Sequence, residues 1–156
     1  MFSVKIAYEI FEKMATQATH EDANLILRLY EIRREERMRT ARDWYARSFR
    51  PKTMQEFGSI APPGSSENTY MRQVTSYYEM VASFLTAGLL NKQLFFQSGA
   101  ELLLCYLRLR PILPQLRESF VNPQAFANLE IMGEEYLAWY DQKQAGSKDA
   151  ILARMS

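Results

Sequence analysis

One cysteine, one histidine, six glycines and six prolines are all that this 156-residue chain spends on those residue types. Each scarcity excludes something. A lone Cys105 allows no intrachain disulfide, and a reducing compartment is expected. One His and one Cys cannot assemble a conventional zinc site, and neither H-E-x-x-H nor E-x-x-H occurs. The glycines stand isolated at 58, 64, 88, 99, 133 and 146, so no Gly-rich phosphate loop exists. Few Gly and Pro also favour long helices over a strand-and-turn fold. The most apolar stretch, Leu102 to Leu109, is too short to span a bilayer. The start, MFSVKIAYEIFEKM, alternates charged and apolar residues and has no signal-peptide h-region. A cytoplasmic protein with no membrane span and no metal or other cofactor is the expectation. Single-sign charge is lacking too: the formal net charge is +1, so no global field draws the chain onto nucleic acid or anionic lipid.

What is present is helical periodicity over a length suited to one domain, 1–156. Apolar residues at 4, 7, 11 and 14 predict an N-terminal helix within 1–18. Thr19-His20-Glu21-Asp22 reads as a capping signal for a long helix from about Glu21 to Phe49. Residues 50–66 read as an irregular connector, with at most a short turn near Thr53–Phe57. The next helix runs from about Ser66 to Ala87, and Gly88 is placed to close it in the left-handed conformation. Asn91 caps a short segment, Lys92 to Gln97. Ala100 to Arg110 is helical, with a kink or restart at Pro111 and Pro114 before about Glu118. Asn122-Pro123 is the favoured N-cap and N1 pairing for a helix to about Lys143. The tail from Lys148, within a weakly structured 144–156, reads as a weak helix or as disordered. No alternating β-branched run competes. The fold class is therefore all-α, a single-domain bundle-like array of five to six helices.

The segment "IRREERMRTAR" poses the main question. Residues 28–52 hold nine Arg or Lys and four acids, a local +5, so the rest of the chain carries −4. Five charges in succession from Arg33 to Arg37 visit every side of a helix. A phosphate-binding stripe of Arg33, Arg34, Arg37, Arg39 and Arg42 is one reading. Interleaved Glu31, Glu35, Glu36 and Asp43 argue instead for ion pairing on the fold. Extending the apolar stripe of Leu25, Leu29 and Ile32 brings Glu36, Arg39 and Asp43 onto the same face. That predicts a charged layer of Glu36, Arg39, Arg42 and Asp43, with Glu130 as partner through an Arg39–Glu130 or Arg42–Glu130 pair. Charges buried without partners would be costly.

Other chemistry-bearing groups read as structural. The Glu35/Glu36 and Glu134/Glu135 doublets point about 100° apart on a helix and make no shared acid–base site. Cys105 in LLLCYL reads as a core thiol and His20 as a solvated cap residue. Tyr70, Tyr77, Tyr78, Phe84, Phe95 and Phe96 read as packing, with a ligand pocket between this aromatic helix and the Pro111 kink as the alternative. Asn68, Arg72, Thr75 and Glu79 form a polar line, either solvated or a place where another helix docks. No catalytic constellation emerges, and the protein reads as a non-enzyme.

The order of ARDWYARSF, FLTAGLLNKQLFF, ELLLCYLRLRPILPQLRE and NPQAFANLEIM resembles a bacterial family of uncharacterised small helical domains, over roughly Glu21 to Tyr140. Many members of that family follow membrane-spanning helices. The resemblance implies a fold type and no activity. Function is thus expected to be binding. The leading reading is a homo-dimer or protein-partner module using Phe2, Val4, Ile6, Ile10 and Phe11, whose apolar load exceeds one bundle-facing stripe. The alternatives are nucleic-acid or anion binding through 28–52, and small-ligand sensing.

Overall fold

The computed structural model describes residues 17–155. The expected N-terminal helix and the candidate interface of Phe2, Val4, Ile6, Ile10 and Phe11 lie outside the described residues.

Helix α1, His20–Arg33, opens on the predicted signal. The Thr19 hydroxyl accepts from the Asp22 N–H, and the Asp22 carboxylate accepts from the Thr19 N–H at 2.7 Å, a reciprocal capping box. The single long helix expected to Phe49 does not form. The chain turns at Arg34, and Glu35 takes an extended conformation (φ −53°, ψ 141°) to become the N-cap of α2, Glu36–Ser48. Its carboxylate accepts from the Met38 N–H at 3.0 Å. That bond and a second one from the Arg37 backbone hold its pKa below the ordinary carboxylate value. The charge run offers no apolar face to either helix, so nothing opposes a break there. A carboxylate at a helix start also gains from the macrodipole.

The connector is more ordered than expected. Helix α3, Met54–Ile60, starts at Thr53, whose hydroxyl accepts from the Glu56 N–H. Helix α4, Ser66–Thr86, begins at Ser65 in the same way. It ends as predicted, with Gly88 at φ +72° and the Leu89 N–H returning to the Phe84 carbonyl at 2.9 Å. Helix α5, Lys92–Phe96, is capped by Asn91. Helix α6, Ala100–Leu109, passes through a 3-10 turn at Arg110–Ile112 into α7, Leu113–Ser119, which is the restart that the prolines impose.

Helix α8, Ala127–Lys143, begins four residues later than the Asn122-Pro123 pair predicts. Asn122 instead accepts from the Gln124 N–H in a local turn, and Phe126 precedes the helix in the left-handed conformation. The orphan N–H groups find an acceptor from outside: the Glu79 carboxylate on α4 takes the N–H of Asn128 and of Leu129, at 3.2 and 2.8 Å. The tail is also ordered, as α9, Ser147–Met155. Asp141 accepts from the Gly146 and Lys148 N–H groups at its start, and Lys52 Nζ donates to the Met155 carbonyl at its end.

The described residues are thus all-α, in more and shorter segments than five to six. Helix α4 is the central element. It packs against α2 on one side and α8 on another, with α6 bridging α4 and α8. Val74, Tyr78, Val81 and Leu85 of α4 are fully enclosed with Ala41, Tyr45, Leu102, Leu109, Leu129 and Met132. The approach of α6 to α8 is close because Gly133 has no side chain: a Cβ there would clash with the Tyr106 ring, nearest its Cδ1. Phe96 stacks on Tyr136 with ring centroids 4.2 Å apart, and Tyr136 on Tyr140 at 5.3 Å. No helix among the described residues is long and apolar enough to cross a membrane.

Candidate functional site

The turn at Arg34 has a geometric consequence. It aims the side chains of Arg33 and Arg42, one from each flanking helix, at Glu101 in the first turn of α6. Arg42 Nε and an Nη of the same guanidinium donate to the two carboxylate oxygens, each at 2.8 Å. An Arg33 Nη lies 2.9 Å from the same carboxylate. Another Arg42 Nη donates to the Arg33 carbonyl at 3.0 Å, which satisfies a carbonyl at the end of α1. The three side chains are only 17–23% exposed. Tyr30 lies under the Arg33 guanidinium at 4.2 Å, and the Tyr77 hydroxyl donates to the Leu29 carbonyl at 2.7 Å. Burial alone would lower the pKa of Arg42, but the Glu101 hydrogen bonds and charge outweigh it and raise it. Burial raises the Tyr78 hydroxyl, and the adjacent Glu101 carboxylate pushes it further in the same direction.

The charged layer therefore exists with a different membership. Arg42 is in it, joined by Arg33 and Glu101. Glu36, Arg39 and Asp43 are exposed on α2 instead. Glu130 pairs with neither Arg39 nor Arg42; it accepts from Arg117 at 2.7 Å, and Arg117 also donates to the Ala125 carbonyl. The expectation failed because the apolar stripe was extended through a helix that in fact breaks. A signal for Glu101 was present. It is the one charge between Ser98 and Leu107, ahead of the apolar stretch Leu102 to Leu107.

The remaining candidates settle simply. Cys105 is buried, its thiol pushed up to about 12 by burial, and its carbonyl accepts from the Tyr45 hydroxyl. His20 is exposed at the start of α1. No group of His, Cys, Asp and Glu suited to a metal occurs among the described residues. The concavity beside Pro111, of about 350 Å³, does not face the aromatic helix. It lies between α6 and the C-terminal α9, lined by Leu107, Pro111, Leu152 and Met155.

A larger concavity does face the aromatic helix, at its other end. The polar line Asn68, Arg72, Thr75, Glu79 is only partly solvated. Its C-terminal member, Glu79, docks α8. The rest is left as one wall of an open-sided groove of about 580 Å³. Met71 lies in this wall; Phe57 of α3 and Pro63 close one end, and Phe120 and Phe126 form the facing wall. The turn that carries those two rings holds both non-glycine residues with positive φ among the described residues, Val121 at +51° and Phe126 at +57°. For a β-branched valine that conformation is strained. Beside it Phe120 lines the groove while 49% exposed, whereas Val121, 89% exposed, lies outside the groove lining. Sequence reasoning missed this wall because Asn122-Pro123 looked like a helix start.

No curated protein and no solved structure matches the chain. A family match does cover residues 18–136, which takes in every element from α1 through the first half of α8, with both the Glu101 cluster and the groove. The chain belongs to the family described as Domain of unknown function (DUF4760).

Proposed function

We propose that this domain is a non-catalytic binding module whose ligand surface is the groove between the first half of α4 and the 120–126 turn. The observation that carries the reading is the pairing of a ligand-sized, mainly apolar concavity with an exposed lining ring, Phe120, on a turn strained at Val121. Pockets of this volume and composition are those that hold small organic molecules. Strain is retained where the surrounding structure has a use for the conformation. The basic segment is a poorer candidate. Arg33 and Arg42 are occupied by Glu101, and the exposed Arg34, Arg37 and Arg39 alternate with Glu35 and Glu36. Neither the groove nor the Glu101 cluster pairs a nucleophile with a base, so we read no enzymatic role.

The test is binding of an environment-sensitive apolar dye to the full chain, compared with Ser76→Trp. Ser76 is exposed on the groove wall, and its hydroxyl bonds only within its own helix, so an indole there fills the groove without entering the core. Saturable binding that Ser76→Trp abolishes supports the reading; equal binding by both proteins overturns it.

A second reading rests on the sequence surplus at Phe2, Val4, Ile6, Ile10 and Phe11: self-association, or capture of a protein partner, through the N-terminal segment, in a bacterial cytoplasmic setting. Sedimentation at low micromolar concentration checks it. A dimer that persists when residues 1–16 are removed contradicts it.

A further inference from the structure

Resting on the groove reading, we infer the class of its ligand: an apolar molecule ending in a single carboxylate, with the Arg72 guanidinium as its counter-ion. The argument is a donor and acceptor census of the lining. Arg72 is the one charged residue that lines the groove, it is exposed, and it forms no salt bridge among the described residues. The other polar groups are neutral and mostly spent. The Asn68 amide donates to the Ala61 carbonyl at 3.1 Å, the Thr75 hydroxyl to the Met71 carbonyl at 2.9 Å, and the Ser76 hydroxyl to the Gln73 carbonyl at 3.2 Å. The groove thus has a planar cationic fork with donors to spare and no carboxylate to answer it. Arg33, Arg42 and Arg117 are each paired with an acid of this chain, whereas Arg34, Arg37 and Arg39 also lack a salt bridge among the described residues but do not line this groove, so it is the groove position that distinguishes Arg72. Met71, Phe57, Phe120 and Phe126 provide the apolar remainder, which suits a hydrocarbon or aryl chain and repels a hydrophilic anion.

The experiment is calorimetric titration of the full chain, below micelle concentration, with decanoate, decanol and decyltrimethylammonium, repeated on Arg72→Gln, Arg72→Lys and Ser76→Trp. Expected are decanoate bound about tenfold or more tighter than decanol, and octanoate, titrated alongside, weaker than decanoate by up to about fifteenfold through the two lost methylenes. Arg72→Gln removes the preference for decanoate over decanol, Arg72→Lys retains part of the preference, and Ser76→Trp abolishes binding of both. Equal affinity for decanoate and decanol in the wild type overturns the ligand class while the groove reading stands. Failure of all three probes overturns both. A terminal-carboxylate apolar peptide that binds much tighter than decanoate, or a dimer dissociated by Ser76→Trp, overturns the small-molecule occupant in favour of a protein one.

Discussion

Glu101→Gln isolates what the basic segment is for. The substitution keeps the shape and removes the charge that two guanidiniums share. Breaking a fully buried pair by deleting one partner costs about 3–5 kcal/mol. Here the three side chains retain 17–23% exposure, so water recovers part of that. A loss of roughly 2–3 kcal/mol is expected. For a chain of this length, Tm falls by about 2–4 °C per kcal/mol, which gives a drop of roughly 4–12 °C. The assay is differential scanning calorimetry of Glu101→Gln against Glu36→Gln, which removes an exposed charge from the same ion-rich neighbourhood and is expected to change stability by no more than about 0.5 kcal/mol. Replacing Arg33, Arg42 and Glu101 together by apolar residues of similar volume should recover most of the loss, because the penalty lies in stranded charge. If Glu101→Gln and Glu36→Gln have Tm values within about 2 °C of each other, the guanidiniums do not depend on that carboxylate and the structural reading of the segment fails.

Four further outcomes follow from the packing. Gly133→Ala drives a methyl group against the Tyr106 ring, which is fully buried, so overpacking of about 1–3 kcal/mol outweighs the helix-propensity gain of about 1 kcal/mol; a rise in Tm contradicts the close approach of α6 and α8. Glu79→Ala removes the acceptor at the start of α8 and should cost about 1–2 kcal/mol by urea titration, the scale of a lost N-cap, whereas no loss means water serves equally well there. Burial works against ionisation of Glu134, but the Tyr106 hydroxyl, Lys148 and Arg110 outweigh it and hold its pKa below 4.5. Its contribution is therefore complete above that value and is lost as pH falls through the lower folded-state pKa; Tyr106→Phe should flatten this acid dependence in a melting series from pH 7 to pH 3. Arg108 has a buried Nε without an acceptor and Arg50 as a charged neighbour, so Arg50→Glu should stabilise by a few tenths of a kcal/mol at low salt, an effect that fades as salt rises.

The legible parts of the sequence were those written in local chemistry. Thr19 with Asp22, Gly88, Asn91 and the prolines at 111 and 114 each act through the next few residues, and their helices start, stop or restart accordingly. What was not legible depended on partners far along the chain. The break at Arg34 has no Gly or Pro to announce it; it is stabilised by a Glu35 cap and by the reach of Arg33 and Arg42 to Glu101. The late start of α8 is decided by Glu79, about fifty residues earlier. In both, a carboxylate distant in sequence holds a helix boundary that the nearby residues do not announce. The groove was missed for the same reason, because its far wall is the turn that the displaced helix start leaves behind.

The most direct test of where this protein binds is a ¹⁵N-resolved NMR titration with decanoate and, separately, with a polyanion at low salt. The account predicts saturable decanoate shifts at Met71, Arg72, Thr75, Phe120 and Phe126, with Arg33 to Arg42 unmoved by either probe. Saturable shifts centred on Arg33 to Arg42, with the groove residues still, would contradict it.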